Sequence, residues 1–221
     1  MSPIGRMEAD APVRVGVTEV PEGLAAIHHP ACAAAVWRRE PLARFQTWID
    51  ALAPEHLPLA HLVLRHDMVR DAVAEVCEAR GTPGGPERAL LIDDTAALAH
   101  LFAELTRATY LRLRFEIVRR GAARPGDAGA VPVRLVCTYR GTGTQYAITA
   151  EGGVPRRVFT VPTGAPILLR RPAHPGSGFL HRSPPFEGAG EIRLVLALDP
   201  VSDPGTEPGA EPAITNRRRL H

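Results

Sequence analysis

The stretch Tyr110-Leu111-Arg112-Leu113-Arg114-Phe115-Glu116-Ile117-Val118 decides the fold class. Leu111, Leu113, Phe115 and Ile117 alternate with Arg112, Arg114, Glu116 and Val118, the period-two pattern of a half-buried strand. Upstream the period is helical. Residues 41–52 open with proline and carry Leu42, Phe45, Trp48, Ile49 and Leu52 on one face. Residues 67–79 place Val69, Ala72, Val73 and Val76 at i, i+3, i+4 and i+7, and Gly81 stops the run. A third helix is expected over residues 87–107, with Leu98, Leu101, Phe102 and Leu105 together. Inside it, Asp93 and Asp94 are adjacent, so they point about 100° apart and are expected on a solvated face.

Downstream, strands are expected over residues 131–139, 145–149, 156–161 and 166–170, in a hairpin around His181, and over 192–199. Gly141-Thr142-Gly143 and other glycine- and proline-rich turns separate them. Several short strands with frequent turns predict a barrel or sandwich. Before the helices, residues 23–27 and 34–39 read as two short strands around His28-His29-Pro30-Ala31-Cys32. Two histidines and a cysteine so close together do not match a zinc knuckle, and a turn is expected. The division is a loose arm over 1–22, one domain over 23–199 (helical part about 41–107, β part about 110–199) and a disordered tail over 200–221, rich in Pro, Gly and Glu.

Composition excludes several chemistries. The chain of 221 residues contains no lysine, so all 26 basic residues are arginine. A Schiff-base lysine, a Walker lysine and a Ser-Lys dyad are therefore impossible. A net charge of +2, with the arginines alternating with acids or standing singly, argues against nucleic acid as a partner. No run is long and apolar enough for a membrane helix, and Met1-Ser2-Pro3-Ile4-Gly5-Arg6 has no apolar signal region. Three separated cysteines, Cys32, Cys77 and Cys137, suit a reducing cytoplasm, and Cys137 is expected to be a buried, inert thiol. Gly176-Ser177-Gly178 is not a nucleophile elbow, and Ser183 reads as the start of the turn into Pro184-Pro185.

One constellation remains. His181 lies beside a strand, and Arg193 follows twelve positions later across a hairpin. A late histidine with an arginine about ten residues on is how barrel oxygenases place a metal ligand near a carboxylate-binding guanidinium. A proximal His-x-Asp is missing, because residues 110–150 contain no histidine.

Four stretches resemble a known family in composition and order. They are Ala35-Val36-Trp37-Arg38-Arg39-Glu40, Tyr110 to Arg114, Val133-Arg134-Leu135-Val136-Cys137-Thr138-Tyr139-Arg140-Gly141-Thr142-Gly143-Thr144 and His181-Arg182-Ser183-Pro184-Pro185, the last continuing into Gly188-Ala189-Gly190-Glu191-Ile192-Arg193-Leu194. On these the chain resembles the bacterial domain of unknown function DUF1826 over about residues 20–200. The resemblance implies an α+β fold in which N-terminal helices pack on a C-terminal double-stranded β-helix, a cupin- or jelly-roll-like barrel. It also implies a Phe-His-Val-Asp segment before the Cys-Thr-Tyr strand, as in iron/2-oxoglutarate oxygenases. Here Gly126-Asp127-Ala128-Gly129 occupies that place, and Gly143-Thr144-Gln145-Tyr146 replaces Gly-Thr-Glu-Trp.

One imidazole and at most one carboxylate make a weak site for divalent iron. His174, in a proline-rich turn, is the remaining candidate to complete it. The leading expectation is a non-catalytic relative of the oxygenase barrel that binds a small ligand or a protein partner. The alternative is an active Fe(II)/2-oxoglutarate-dependent oxygenase with His181 and Asp127 on the metal and Arg193 on the co-substrate. A third expectation, implied by the resemblance alone, is a partner-binding role in metal homeostasis.

Overall fold

A computed structural model of the chain describes residues 13–119, 131–149, 153–171, 178–185 and 191–202. They form a mixed α+β fold built on a large, mostly antiparallel sheet. Its strands are β1 (Arg14–Thr18), β2 (Cys32–Trp37), β3 (Ala60–Arg65), β4 (Tyr110–Val118), β5 (Val133–Arg140), β8 (Pro166–Arg170) and β10 (Arg193–Val201). The order across the sheet is β1-β2-β8-β5-β10-β4-β3. A smaller antiparallel sheet, β7-β6-β9, joins β6 (Gln145–Ile148), β7 (Phe159–Thr160) and β9 (Phe179–Arg182).

The alternation in β4 works as its sequence implies. Leu111, Leu113 and Phe115 are fully buried against the helices α1 (Ala43–Ala51), α2 (Val69–Ala79) and α3 (Pro86–Thr106). The same core takes Leu135, Cys137 and Tyr139 from β5, and Leu194, Leu196 and Leu198 from β10. Phe45 and Ile49 of α1, Val73 and Cys77 of α2, and Leu98 and Phe102 of α3 meet them from the helical side. The other face of the sheet meets the small sheet. There Ala34, Val36, Ile167 and Leu169 pack with Val161 and Phe179.

The structure corrects four expectations. Residues 23–27 are not a strand but part of a 3-10 segment, Pro21–His28. Proline opens it, and Leu24 and Ile27, three apart, both point into the core. The arm expected over 1–22 contributes β1, which pairs in parallel with β2 from Arg14 to Thr18, while Val13 and Val15 pack between the sheets. Residues 60–65, bounded upstream by prolines, form the edge strand β3 against β4. The β part is therefore not confined to the C-terminal half, since three of the seven large-sheet strands precede residue 66. The strand expected to end at Asp199 continues through Val201, with Pro200 paired to Leu111. Pairing with β5 has ended at Leu198, so the missing proline N–H costs no ladder bond on that side. Residues 1–12 and 203–221, in the expected arm and tail, lie outside the described residues. No described helix is long and apolar enough to cross a membrane.

Asp93 and Asp94 differ from their shared expectation. Asp93 is solvated and pairs with Arg70. Asp94 instead accepts both terminal nitrogens of Arg39, at 2.6 and 2.7 Å, and the Tyr139 hydroxyl at 2.7 Å. Burial works against the Arg39 charge, yet hydrogen bonding and attraction to Asp94 hold its pKa above the usual arginine range. Burial likewise pushes the Cys137 thiol up to about 12, which keeps it protonated and inert. Replacing Asp94 with Ala removes three charge-assisted hydrogen bonds and is expected to cost about 2 kcal/mol or more in urea unfolding. Asp93→Ala is expected to stay within about 0.5 kcal/mol. Equal costs at the two positions would refute this division.

Candidate functional site

Because side chains alternate along each strand, the large sheet carries a second set of residues on the face toward the small sheet. β4 sends Arg112 and Arg114 there, β5 sends Arg134 and Thr138, and β10 sends Arg193 and Asp199. The arginines do not stand singly, as their spacing in sequence implied. Three of them meet at Asp199, which is fully buried. Arg134 donates Nε to Oδ1 at 2.6 Å and Nη2 to Oδ2 at 2.9 Å. Arg114 Nη2 donates to Oδ2 at 3.0 Å, and Arg112 Nη1 lies 3.8 Å away. The sequence signal for Asp199 was faint: an acid ending an apolar run, just before a proline.

Arg193 sits at the other end of β10, six residues from Asp199 and roughly 20 Å along the strand. Only 2% of it is exposed. Its Nε donates to the Thr142 carbonyl at 2.6 Å, and Gly141 at φ +77° makes room for its side chain, since a Cβ there would come within 2.8 Å of Arg193 Cγ. Glu191 lies close enough to favour its charge, but burial is the larger influence and lowers its pKa. Thr138, also 2% exposed and on the same face, has a buried hydroxyl without a described partner.

His181 comes from β9, where it pairs with Tyr146 of β6. Its ring stacks on Phe179 at 5.9 Å; Phe179 stacks on Tyr146 at 6.2 Å, and Tyr146 on Phe159 at 5.3 Å. The row ends at Arg157, whose guanidinium lies 4.6 Å over Phe159. His181 as a residue is exposed, and partial desolvation of its ring and, second, the positive charge of Arg134 lower its pKa. Of the residues singled out from sequence, the structure thus places His181 toward Arg134 and Arg193 at the Gly141-Thr142 turn, with no described contact between the two. Asp127 and His174 lie outside the described residues.

A divalent iron would need further donors near His181. Its electrostatic neighbour is a cation, and no group of three His, Cys, Asp or Glu among the described residues is arranged to hold a metal. The described residues alone do not supply three such donors beside His181.

The family model described as "Protein of unknown function (DUF1826)" matches residues 18–199. The chain belongs to this family. No curated protein matches it significantly. Among solved structures, this DUF1826 member is similar to a 2-oxoglutarate complex of dioxygenase for auxin oxidation 1 from Arabidopsis thaliana, at 9% identity over 89% of this chain and 95% of that one, TM-score 0.44. It is similar to the rice dioxygenase for auxin oxidation at 13% identity, over 89% and 86%, TM-score 0.41. A 2OG-Fe(II) oxygenase family oxidoreductase from Burkholderia pseudomallei gives 15% identity, over 86% and 94%, TM-score 0.40. Likeness at this level assigns no activity to the DUF1826 chain.

Two outcomes follow from the geometry. Asp199→Asn leaves three guanidinium groups around a neutral amide, and a loss of about 3 kcal/mol is expected in chemical unfolding. A loss under about 1 kcal/mol would show that the cluster does not depend on that charge. For His181, the lowered folded-state pKa means the unfolded chain takes up its proton first as pH falls. Stability therefore decreases as pH drops through 6.5 and levels off below the folded-state value. Proton NMR of the His181 ring is expected to give a midpoint below 6.5, moving up in Arg134→Gln; a wild-type midpoint above 6.5 contradicts the placement.

Proposed function

We propose that this protein is a non-catalytic relative of the oxygenase-type double-stranded β-helix that binds a small carboxylate between its two sheets. The observation that carries the reading is Arg193. A guanidinium that is 2% exposed, with one described hydrogen bond, to a backbone carbonyl, bears a desolvation cost that Glu191 offsets only in part and that a ligand's negative charge would offset further. Its terminal nitrogens form the planar fork that accepts a carboxylate on two parallel hydrogen bonds. Thr138 adds a buried hydroxyl on the same face.

In this reading Arg193 holds the anionic end of the ligand. The Tyr146, Phe179 and His181 row supplies an apolar and aromatic wall, with the pKa of the imidazole lowered by partial desolvation and by Arg134. The reading assigns no redox step to the described residues.

Titration calorimetry with 2-oxoglutarate and succinate, on protein stripped of metal, tests the reading. One molecule per chain is expected to bind, with affinity reduced at least tenfold in Arg193→Leu. Absence of binding by either dicarboxylate overturns the ligand assignment. Anaerobic reconstitution with ferrous iron tests the non-catalytic part. Near-stoichiometric iron that disappears in His181→Ala, with succinate formed from 2-oxoglutarate, would establish the oxygenase using His181, Asp127 and Arg193 instead.

A further inference from the structure

α3 ends in a way that its sequence does not favour. The chain leaves the helix through Arg107, at φ +54° and ψ +34°, while Ala108 N–H returns to the Ala103 carbonyl at 3.0 Å and Arg107 N–H to Glu104 at 3.3 Å. This is a left-handed helix cap, a place where glycine is the unstrained residue. Arg107 is the one non-glycine residue with positive φ among those described. A bulky residue held there at a conformational cost needs a reason in its side chain.

Arg107, an exposed residue, is among those lining a cavity of about 500 Å³ at the end of the large sheet. Its apolar walls come from Ile27, Leu105, Val133, Leu168 and Val201. Arg107 and His28 are the basic residues in the lining, and no Asp or Glu lines the described cavity. Neither Arg107 nor His28 has a side-chain hydrogen bond or ion pair to a described residue. The α3 carbonyls would repel an anion at this end of the helix. Those of Ala103 and Glu104, however, are already satisfied by the cap.

We infer that this cavity is a second ligand site, separate from the inter-sheet face, for a small amphiphilic carboxylate. The hydrocarbon part lies among the apolar walls and the carboxylate meets Arg107, with His28 beside it. Volume, apolar lining and a few convergent polar groups are the ordinary make-up of a small-molecule site. Retaining Arg107 at a glycine position trades stability for the contact.

Octanoate is the probe, with octanol as its uncharged counterpart, measured by calorimetry and by thermal unfolding of the full chain. One octanoate per chain is expected, binding at least tenfold more tightly than octanol. Arg107→Gly is expected to raise the unfolding temperature without ligand and to weaken octanoate at least tenfold. Arg107→Asn, whose residue tolerates the same backbone, should weaken octanoate equally. Arg193→Leu should leave octanoate binding unchanged, which separates this site from the proposed inter-sheet one. Unchanged octanoate affinity in both Arg107 variants, equal binding of octanol, or no binding at all would overturn the assignment.

Discussion

Asp199 is a carboxylate without access to water, and β4, β5 and β10 are tied together through it. A buried charge of this kind adds little net stability, because desolvation cancels much of the attraction. Its effect is on alternatives. A one-residue slip of β10 against its neighbours would turn Asp199 into the leucine core and Leu198 toward the arginines. The ion cluster therefore selects one register at the centre of the large sheet. Every residue on the inner face, Arg193 and Thr138 included, takes its place from that choice.

The two faces of this sheet solve different problems. The helical face is a continuous apolar core, and within it Arg39, Asp94 and Tyr139 hydrogen-bond to one another. The inner face has an apolar cluster where β2, β8 and Val136 of β5 meet the small sheet. Across β5, β10 and β4 it carries guanidinium groups and hydroxyls. Burial there is incomplete in chemical terms, since the Thr138 hydroxyl and Arg114 Nε are buried without a described hydrogen-bond partner. Interiors rarely leave such groups unmatched unless a ligand or water completes them.

Much of the architecture was legible from side-chain period. The alternation over Leu111–Ile117, the three helices and the short C-terminal strands follow from it, as does the buried Cys137. The edge strands β1 and β3 were not legible. Five or six residues beside prolines give too short a pattern, and their stability comes from pairing with β2 and β4. Of the candidate site, His181 and Arg193 stood out by residue type and spacing. Asp199 did not, because its partners lie 65 to 87 residues away in the chain and converge only when the strands pair.

The sequence by itself determined the family, the twofold alternation, and the exclusion of lysine chemistry. Those depend on residue identity and on neighbours in the chain. Tertiary structure alone decided that Asp94 is a hub while Asp93 is solvated, that Arg193 is buried with its Nε on the Thr142 carbonyl, and that the arginines of β4 and β5 share one carboxylate. Each of these depends on burial and on distances between remote segments. The free energy of a charge is set by its surroundings, and the chain acquires those surroundings only on folding.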